Sequence, residues 1–163
     1  MIDCFLSLGS NMGDKLENIS NAIKFIGLSP ENSFLSKSEI YESRAMYNTN
    51  LENFYNAVIK IRTDLSPIEL LAFLKDIEKQ MGRVKTIDRY SERPIDIDIL
   101  SYGDKIIDSK ELTIPHPHIK ERKFVLKPWS DIDSNYILAR SNKKISDLLD
   151  ETSDNSKLLT IKE

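Results

Sequence analysis

One short stretch of the chain places acidic residues at a spacing that suits phosphate chemistry. Residues 93–100 have the sequence RPIDIDIL, and this alternation of apolar and acidic residues predicts a half-buried β-strand. Asp96 and Asp98 then lie on the same face, about 6.5–7 Å apart along the strand. Neighbouring carboxylates repel each other unless a cation lies between them. Oxygen ligands of this kind suit Mg²⁺, which also binds water and substrate phosphates.

Basic residues stand just before this strand, namely Arg83, Lys85, Arg89 and Arg93. Cations beside a pair of aspartates are typical of a phosphate site built around magnesium. The alternative interpretation is an edge strand whose outer face is merely solvated, since a D-x-D pattern alone is common. The surrounding elements decide between the two.

Composition limits the class of protein. The 163 residues are 40% hydrophobic and 30% charged, which predicts one globular domain over residues 1–163. A net charge of −3 argues against a general nucleic-acid-binding surface. The chain shows neither a signal peptide nor a long apolar run, so no membrane contact is expected. The single cysteine, Cys4, excludes an internal disulfide and favours a cytoplasmic location.

Apolar periodicity predicts two helices and four main strands. The first helix starts at Asp14 and stops at Gly27, and the second starts at Ser66 and continues to Gly82. The predicted strands cover residues 2–8, 34–41, 54–62 and 95–102, with shorter ones at 106–107 and 112–114. A partly helical segment at 119–129 ends near Pro128, and a helical turn is expected at 145–149. The stretches 43–53 and 82–94 are predicted loops, and the tail after 150 has little pattern.

The order β-α-β-β-α-β is the ferredoxin-like pattern, an α+β fold with an antiparallel sheet. It places both helices on one face of the sheet, with further elements towards the C-terminus. The opposite face is expected to be free for a site that contains Asp96 and Asp98. Phe54 and Asn56, two positions apart on a strand, are expected to share one face as well.

Several motifs occur in a characteristic order along the chain. They are Gly9-Ser10-Asn11, Phe54-Tyr55-Asn56-Ala57, Glu78 with Gly82-Arg83, R-x-x-D-x-D-I from Arg93, LTIPHP from Leu112, and R-x-F-V-L-x-P from Arg122. From about residue 6 to residue 132, this set resembles the 6-hydroxymethyl-7,8-dihydropterin pyrophosphokinases of the folate pathway. The resemblance implies transfer of the β,γ-diphosphate of ATP to the hydroxymethyl oxygen of a reduced pterin, with release of AMP. It also implies a monomeric enzyme that binds these two small molecules.

The resemblance also implies roles for individual residues. Asp96 and Asp98 would hold two Mg²⁺ ions and act in catalysis together with Arg83 and Arg93. The implied pterin contacts are Phe54, Asn56, Phe124 and Met46. The implied ATP contacts are Glu78, Lys85, Arg89, Ile99, Leu112, Thr113, His116 and Arg122. The chain lacks a G-x-x-x-x-G-K loop, so the phosphates are not expected on a P-loop.

The chain departs from the family pattern at a few positions, namely Lys75, Lys85, Ser91, Glu111 and residues 43–46. Three other functions are alternatives. A ferredoxin-like hydrolase of small phosphates would work without Mg²⁺. An RNA-binding module would need exposed aromatic residues on a basic face, and the net charge of −3 and the D-x-D pattern argue against it. An inactive regulatory protein would bind the ligands without turnover.

Overall fold

The structure is a computed structural model that describes residues 1–45, 50–82 and 92–163. The main strands are β1 (Ile2–Ser10), β2 (Asn32–Lys37), β3 (Ile40–Ser43), β4 (Phe54–Thr63) and β5 (Asp96–Tyr102). Short strands are β6 (Ile107–Asp108), β7 (Thr113–Ile114), β8 (Ile137–Leu138), β9 (Lys143–Lys144) and β10 (Leu159–Ile161). The helices are α1 (Lys15–Leu28), α2 (Pro67–Gln80), α3 (Lys123–Asp133) and α4 (Ile145–Glu151), with a 3-10 turn at Ile119–Glu121.

An antiparallel sheet forms the centre of the fold. Its strands follow the order β10-β3-β4-β1-β5, and β2 also pairs with β4. β1 therefore lies between β4 and β5, and Gly9 pairs with Asn56 on one side and with Asp96 on the other. This register brings residues from distant parts of the sequence into one row across the sheet. The predicted α+β ferredoxin-like fold is confirmed.

One face of the sheet packs against α1 and α2. The alternate residues of the central strands, such as Leu6 and Ile59, are buried there with Ile26 of α1 and Leu74 of α2. The predicted start of α2 is confirmed, because Ser66 and Glu69 form a reciprocal capping box. α1 begins after Asp14, whose side chain accepts a hydrogen bond from the Glu17 backbone N–H.

The opposite face of the sheet is only partly open, so the expectation of a free face is wrong for part of it. Phe5 and Val58 lie on this face and are buried against α3 and α4, mainly against Trp129 and Leu126. The Phe5 and Trp129 ring centroids are 4.9 Å apart. Helix α3 covers these apolar positions because their burial removes large side chains from water. The polar end of the same face carries the candidate site.

Several predicted boundaries were wrong, including those of the second predicted strand, α1 and α3. The strand expected at 34–41 is divided into β2 and β3, because the Ser38 side chain accepts a hydrogen bond from the Val58 N–H at 2.9 Å. α1 continues through Gly27 to Leu28. α3 continues through Pro128 to Asp133, because Trp129 and its neighbours gain more from burial than the helix loses at one missing N–H.

The tail after residue 150 contains a strand that the sequence pattern did not predict. β10 pairs antiparallel with β3, and Thr160 lies opposite Tyr41. A strand of three residues is too short for a recognisable alternation. None of the described helices combines the length and the apolar character needed to cross a membrane.

Candidate active site

The two aspartates of β5 lie side by side on the partly open face. Asp96 pairs with Gly9 of β1 and Asp98 pairs with Ser7, and both carboxylates are partly buried. Burial raises the pKa of Asp98 to about 7, and the nearby charge of Asp96 adds to this shift. A carboxylate pair that is hard to charge in the protein alone is expected to attract a cation. This agrees with the geometry predicted from the D-x-D spacing.

Glu78 supports the strand between these aspartates. Its side chain is buried near the end of α2, and its Oε1 accepts a hydrogen bond from the Ile97 N–H at 2.8 Å. β5 forms the edge of the sheet, so no neighbouring strand on its outer side can accept a hydrogen bond from the Ile97 N–H. The Glu78 carboxylate is the acceptor instead. Lys75 Nζ lies 3.5 Å from Glu78 Oε2. Glu78 Oε1 is thus bound to the backbone of β5. The predicted contact of Glu78 with ATP stays a prediction.

Arg93 is held next to Asp96 by the loop that follows β1. Its Nη1 lies 3.4 Å from Asp96 Oδ2. The Arg93 N–H donates to Asn11 Oδ1 at 2.7 Å, and the Asn11 N–H donates to the Arg93 carbonyl at 3.3 Å. Asn11 is fully buried, so this pair of hydrogen bonds fixes where β5 begins. Sequence reasoning gave Asn11 no place in the site, although it belongs to the first motif.

His116 is an uncharged imidazole close to the aspartates. Burial lowers its pKa to about 4, and the positive charge of Arg122 contributes to this shift. Its Nδ1 accepts a hydrogen bond from the His118 N–H at 3.2 Å. With Nδ1 acting as acceptor, the neutral ring carries its proton on Nε2. His116 can therefore donate one hydrogen bond to an anion without carrying a full charge.

Arg122 and Phe124 lie at the start of α3. The Arg122 Nε is buried and has no hydrogen-bond partner among the residues that the structure describes. Its Cζ lies 5.8 Å from the centroid of the Phe124 ring. A buried guanidinium N–H without a partner is rare in proteins. This atom fits the predicted contact of Arg122 with the anionic part of a ligand.

Asn56 lies across β1 from the aspartates, on the same face of the sheet. The Asn56 side-chain nitrogen donates to Ser43 Oγ at 2.8 Å and to the Tyr41 carbonyl at 3.2 Å. These bonds use the amide donors and so fix the orientation of the Asn56 side chain. A Cβ atom at Gly9 would lie 3.5 Å from the Phe54 ring and 3.6 Å from Asn56 Oδ1, so Gly9 lies directly beside both residues. Sequence reasoning missed Ser43 and Tyr41, whose role follows from strand pairing.

The remaining predicted residues divide into two groups. Ile99 and Leu112 have their side chains in the core between the sheet and the two helices, so an ATP contact there would involve backbone atoms. Thr113 is partly buried on β7. Their ATP contacts stay predictions. The predicted residues Met46, Arg83, Lys85 and Arg89 lie outside the described residues, as does the departure at Ser91.

The carboxylate pair does not form a complete metal cage. Among residues 1–45, 50–82 and 92–163, no three side chains of His, Cys, Asp or Glu are grouped closely enough to hold a metal ion. Mg²⁺ commonly binds one or two protein carboxylates and completes its shell with water and phosphate oxygens. Asp96 and Asp98 fit that donor set.

His116 is expected to stay uncharged at neutral pH, because its pKa is lowered. In a His118→Asn variant, the chain has one imidazole, and its NMR signals are expected to move at a pH well below the ordinary pKa of histidine and to show the proton on Nε2 at neutral pH. The low pKa follows from burial and the nearby guanidinium. In an Arg122→Met, His118→Asn double variant the pKa should rise. A midpoint near the ordinary value of His in the first variant would contradict this description.

The fold and the site together define a ferredoxin-like domain with a polar, carboxylate-containing site on the face opposite two helices. Residues 5–134 match the model of the family described as 7,8-dihydro-6-hydroxymethylpterin-pyrophosphokinase (HPPK). The chain belongs to this family.

Curated relatives support the assignment. The chain is 37% identical over 154 residues to the 2-amino-4-hydroxy-6-hydroxymethyldihydropteridine pyrophosphokinase of Haemophilus influenzae, covering 94% of this chain and 95% of that protein. It is 47% identical over 133 residues to the folic acid synthesis protein fol1 of Pneumocystis carinii, covering 82% of this chain and 18% of that protein. The chain thus spans about a fifth of the length of the fol1-type relatives.

Solved structures support the fold. The wild-type HPPK-DHPS of Plasmodium falciparum, crystallised with pteroate, superposes with a TM-score of 0.73 at 17% identity. The match covers 92% of this chain and 42% of that chain. At this identity the likeness shows the common fold.

Proposed function

We propose that this chain transfers the β,γ-diphosphate of ATP to the hydroxymethyl group of 6-hydroxymethyl-7,8-dihydropterin, releasing AMP. The observation that supports this most directly is the pairing of Gly9 with both Asn56 and Asp96. Asn56, which is proposed to bind a flat heterocycle, and the carboxylate pair then lie on the same face, about 10 Å apart across two strand spacings. A pterin bound at Asn56 would point its substituent towards a triphosphate near Asp96. Family membership supports the same substrates.

Asp96 and Asp98 are the residues proposed to hold two Mg²⁺ ions. Bound magnesium would neutralise phosphate charge and orient the triphosphate. The raised pKa of Asp98, caused first by burial and then by Asp96, supports a cation at this position. Glu78 keeps the strand in place through Ile97, and so fixes the direction of both carboxylates.

Arg93, Arg122 and His116 are proposed to bind the phosphates from the other sides. Phosphoryl-type transfer depends mainly on positioning and on neutralising charge. The two guanidinium groups supply fixed positive charge and paired donors. His116 adds a neutral donor at Nε2. Arg93 lies 3.4 Å from Asp96, and Arg122 lies close enough for its charge to lower the pKa of both His116 and Asp98.

Phe54 and Phe124 are proposed to contact the two faces of the pterin ring, and Asn56 Oδ1 to accept a hydrogen bond from its polar edge. Aromatic side chains bind flat heterocycles through stacking and apolar contact. Both phenylalanines are partly exposed, and Arg122 lies against the ring of Phe124. This arrangement would join the pterin side of the site to the ATP side.

The direct test is to incubate the purified protein with ATP, Mg²⁺ and the hydroxymethyl pterin, and to measure AMP and pterin diphosphate. Equal amounts of both products would support the proposal. Formation of ADP or free phosphate, or turnover that persists in EDTA, would favour the hydrolase. Tight nucleotide binding without turnover would favour the inactive regulatory protein. We further propose that residues 1–163 act as one monomeric domain in the cytoplasm.

Arg93→Ala is expected to lower kcat by about 10²-fold while changing the affinity for the Mg²⁺-bound nucleotide less than about fivefold, if Arg93 acts chiefly on the transition state. The ion pair with Asp96 explains how Arg93 is positioned for this role. Steady-state kinetics and equilibrium binding measure the two effects. Arg140→Ala, which removes an exposed ion pair with Asp108, is the matched control. A loss confined to nucleotide affinity would assign Arg93 to ground-state binding.

A further inference from the structure

The C-terminal segment of residues 152–163, here called the C-terminal strap, follows α4 and lies beyond the family match, which ends at residue 134. Its first half contacts the start of α3, and its second half forms β10 on the edge of β3. The first attachment is at α3, which carries Phe124, and the second is at β3, whose Tyr41 carbonyl and Ser43 hydroxyl bind Asn56. The strap therefore connects elements that the proposed pterin site uses.

The first attachment caps α3. The residue at the N-cap position, Arg122, makes no side-chain capping bond. Asp154 takes over this function, because its Oδ2 accepts a hydrogen bond from the Lys123 N–H at 2.9 Å. Lys123 Nζ donates to the Ser156 carbonyl at 3.0 Å, and Thr152 Oγ1 donates to the Lys120 carbonyl at 2.7 Å. A carboxylate at a helix N-terminus satisfies free N–H groups and is stabilised by the helix dipole.

Pro128 makes this cap more important for the first turn of α3. Pro128 has no N–H, so the carbonyl four residues earlier, that of Phe124, lacks its intrahelical hydrogen bond. The turn that carries Phe124 therefore lacks both a cap from its own N-cap residue and one bond of the helix. Asp154 supplies the missing cap by accepting a hydrogen bond from the Lys123 N–H.

The second attachment holds β3. β10 pairs with β3 so that Leu159 lies opposite Glu42 and Thr160 lies opposite Tyr41. β3 supplies the Tyr41 carbonyl and the Ser43 hydroxyl that accept hydrogen bonds from Asn56. By pairing with the outer side of β3, β10 limits the movement of these two acceptors. The strap thus acts on Asn56 through β3 and on Phe124 through α3.

We propose that the C-terminal strap positions the pterin pocket, with Asp154 as its positioning residue at α3. The inference rests on the proposed function for the identity of the ligand. It assigns a role to a segment with no residue in the site itself. Loss of either attachment is expected to loosen one wall of the pocket while leaving the aspartates of β5 in place.

The test compares Asp154→Ala, Asp154→Asn, a chain that ends at Leu158, and Asn155→Ala as an exposed neighbouring control. Calorimetry at a temperature where every variant is folded measures pterin affinity with a Mg²⁺-bound non-hydrolysable ATP analogue, and analogue affinity alone. Asp154→Ala is expected to weaken pterin binding by about fivefold, as for loss of a helix cap. Asp154→Asn, which keeps an acceptor, should retain most of the affinity. The shortened chain should also lose pterin affinity, and Asn155→Ala should match the original protein.

Hydrogen exchange at the amides of residues 123–126 provides a measurement without ligand. It should become faster in Asp154→Ala, while the fluorescence of the single tryptophan, Trp129, stays unchanged further along α3. Unchanged exchange, or unchanged pterin affinity in both Asp154→Ala and the shortened chain, would overturn the inference. Equal losses of pterin and analogue affinity would also overturn it. If the original protein binds the analogue but no pterin, the proposed function fails, and the inference fails with it.

Discussion

Asp98→Asn is expected to reduce diphosphate transfer by about 10³-fold, because the substitution removes one of two carboxylates proposed to hold magnesium at the triphosphate. The same variant should be more stable than the original protein when no metal is present. Asp98 lies in a partly buried position next to Asp96, and there its negative charge is unfavourable. A residue that is costly for the folded protein and needed for activity is typical of a functional site.

The pH dependence follows from the pKa of Asp98, which burial and the charge of Asp96 raise from 3.8 to about 7. The folded protein binds this proton more tightly than the unfolded chain does. The stabilising effect is therefore complete below the ordinary pKa of the group and is lost as the pH rises towards 7. At about pH 8 in EDTA, Asp98→Asn should raise the free energy of unfolding by about 1–2 kcal/mol, because solvent screens part of the unfavourable charge at this partly exposed position.

Urea unfolding at several pH values measures this effect, and Asp147→Asn on the exposed side of α4 is the control. Added Mg²⁺ should stabilise the original protein more than Asp98→Asn, since a ligand stabilises the state that binds it. Equal stabilisation of both proteins would remove Asp98 from the metal site. Loss of the cooperative transition in Asp98→Asn would make the residue structural.

Asn56→Leu is expected to weaken pterin binding by about 10²-fold, the cost of removing the hydrogen bond to the pterin and filling the pocket with an apolar group. It should also lower the free energy of unfolding by about 1–3 kcal/mol, because the Tyr41 carbonyl and the Ser43 hydroxyl lose their common donor. Affinity for the ATP analogue should stay close to that of the original protein, since Asn56 lies on the far side of β1 from Asp96.

Ser43→Ala separates the two effects of Asn56. It removes one partner of the amide nitrogen and leaves Oδ1 in place, so it should reduce stability with only a small effect on pterin affinity. Calorimetry and urea unfolding measure both quantities. If Ser43→Ala weakens pterin binding as strongly as Asn56→Leu, then orientation of the amide matters more than the Oδ1 acceptor. If neither variant affects binding, the pocket is elsewhere.

Local sequence patterns were sufficient to predict the helix and strand elements that surround the site. The alternation in residues 93–100 identified β5, and the Ser66–Glu69 capping box marked the start of α2, because strand alternation and helix capping involve residues close together in the chain. The motif order also predicted the α+β ferredoxin-like fold and the family. Each of these signals is contained in short segments that can be recognised without knowledge of their neighbours.

The features that were missed depend on contacts between distant segments. Trp129 packs against the sheet, and its burial stabilises the part of α3 that follows Pro128. β10 forms because the edge of β3 can pair with another strand. The partial covering of the second face of the sheet also depends on a distant segment. Apolar residues on both faces of β1 show that this strand is buried on both sides, but they do not show which element covers it.

In the candidate site too, local patterns predicted some features, and contacts between distant segments determined the others. The types and spacing of residues 93–98 and 54–56 predicted an acidic pair and a pocket residue, because both pairs follow the period of a strand. Strand register places Gly9 between Asn56 and Asp96, and tertiary packing brings Glu78 to the Ile97 N–H and Asp154 to α3. A periodic pattern extends over a few residues, whereas register and burial depend on segments that meet only when the chain folds.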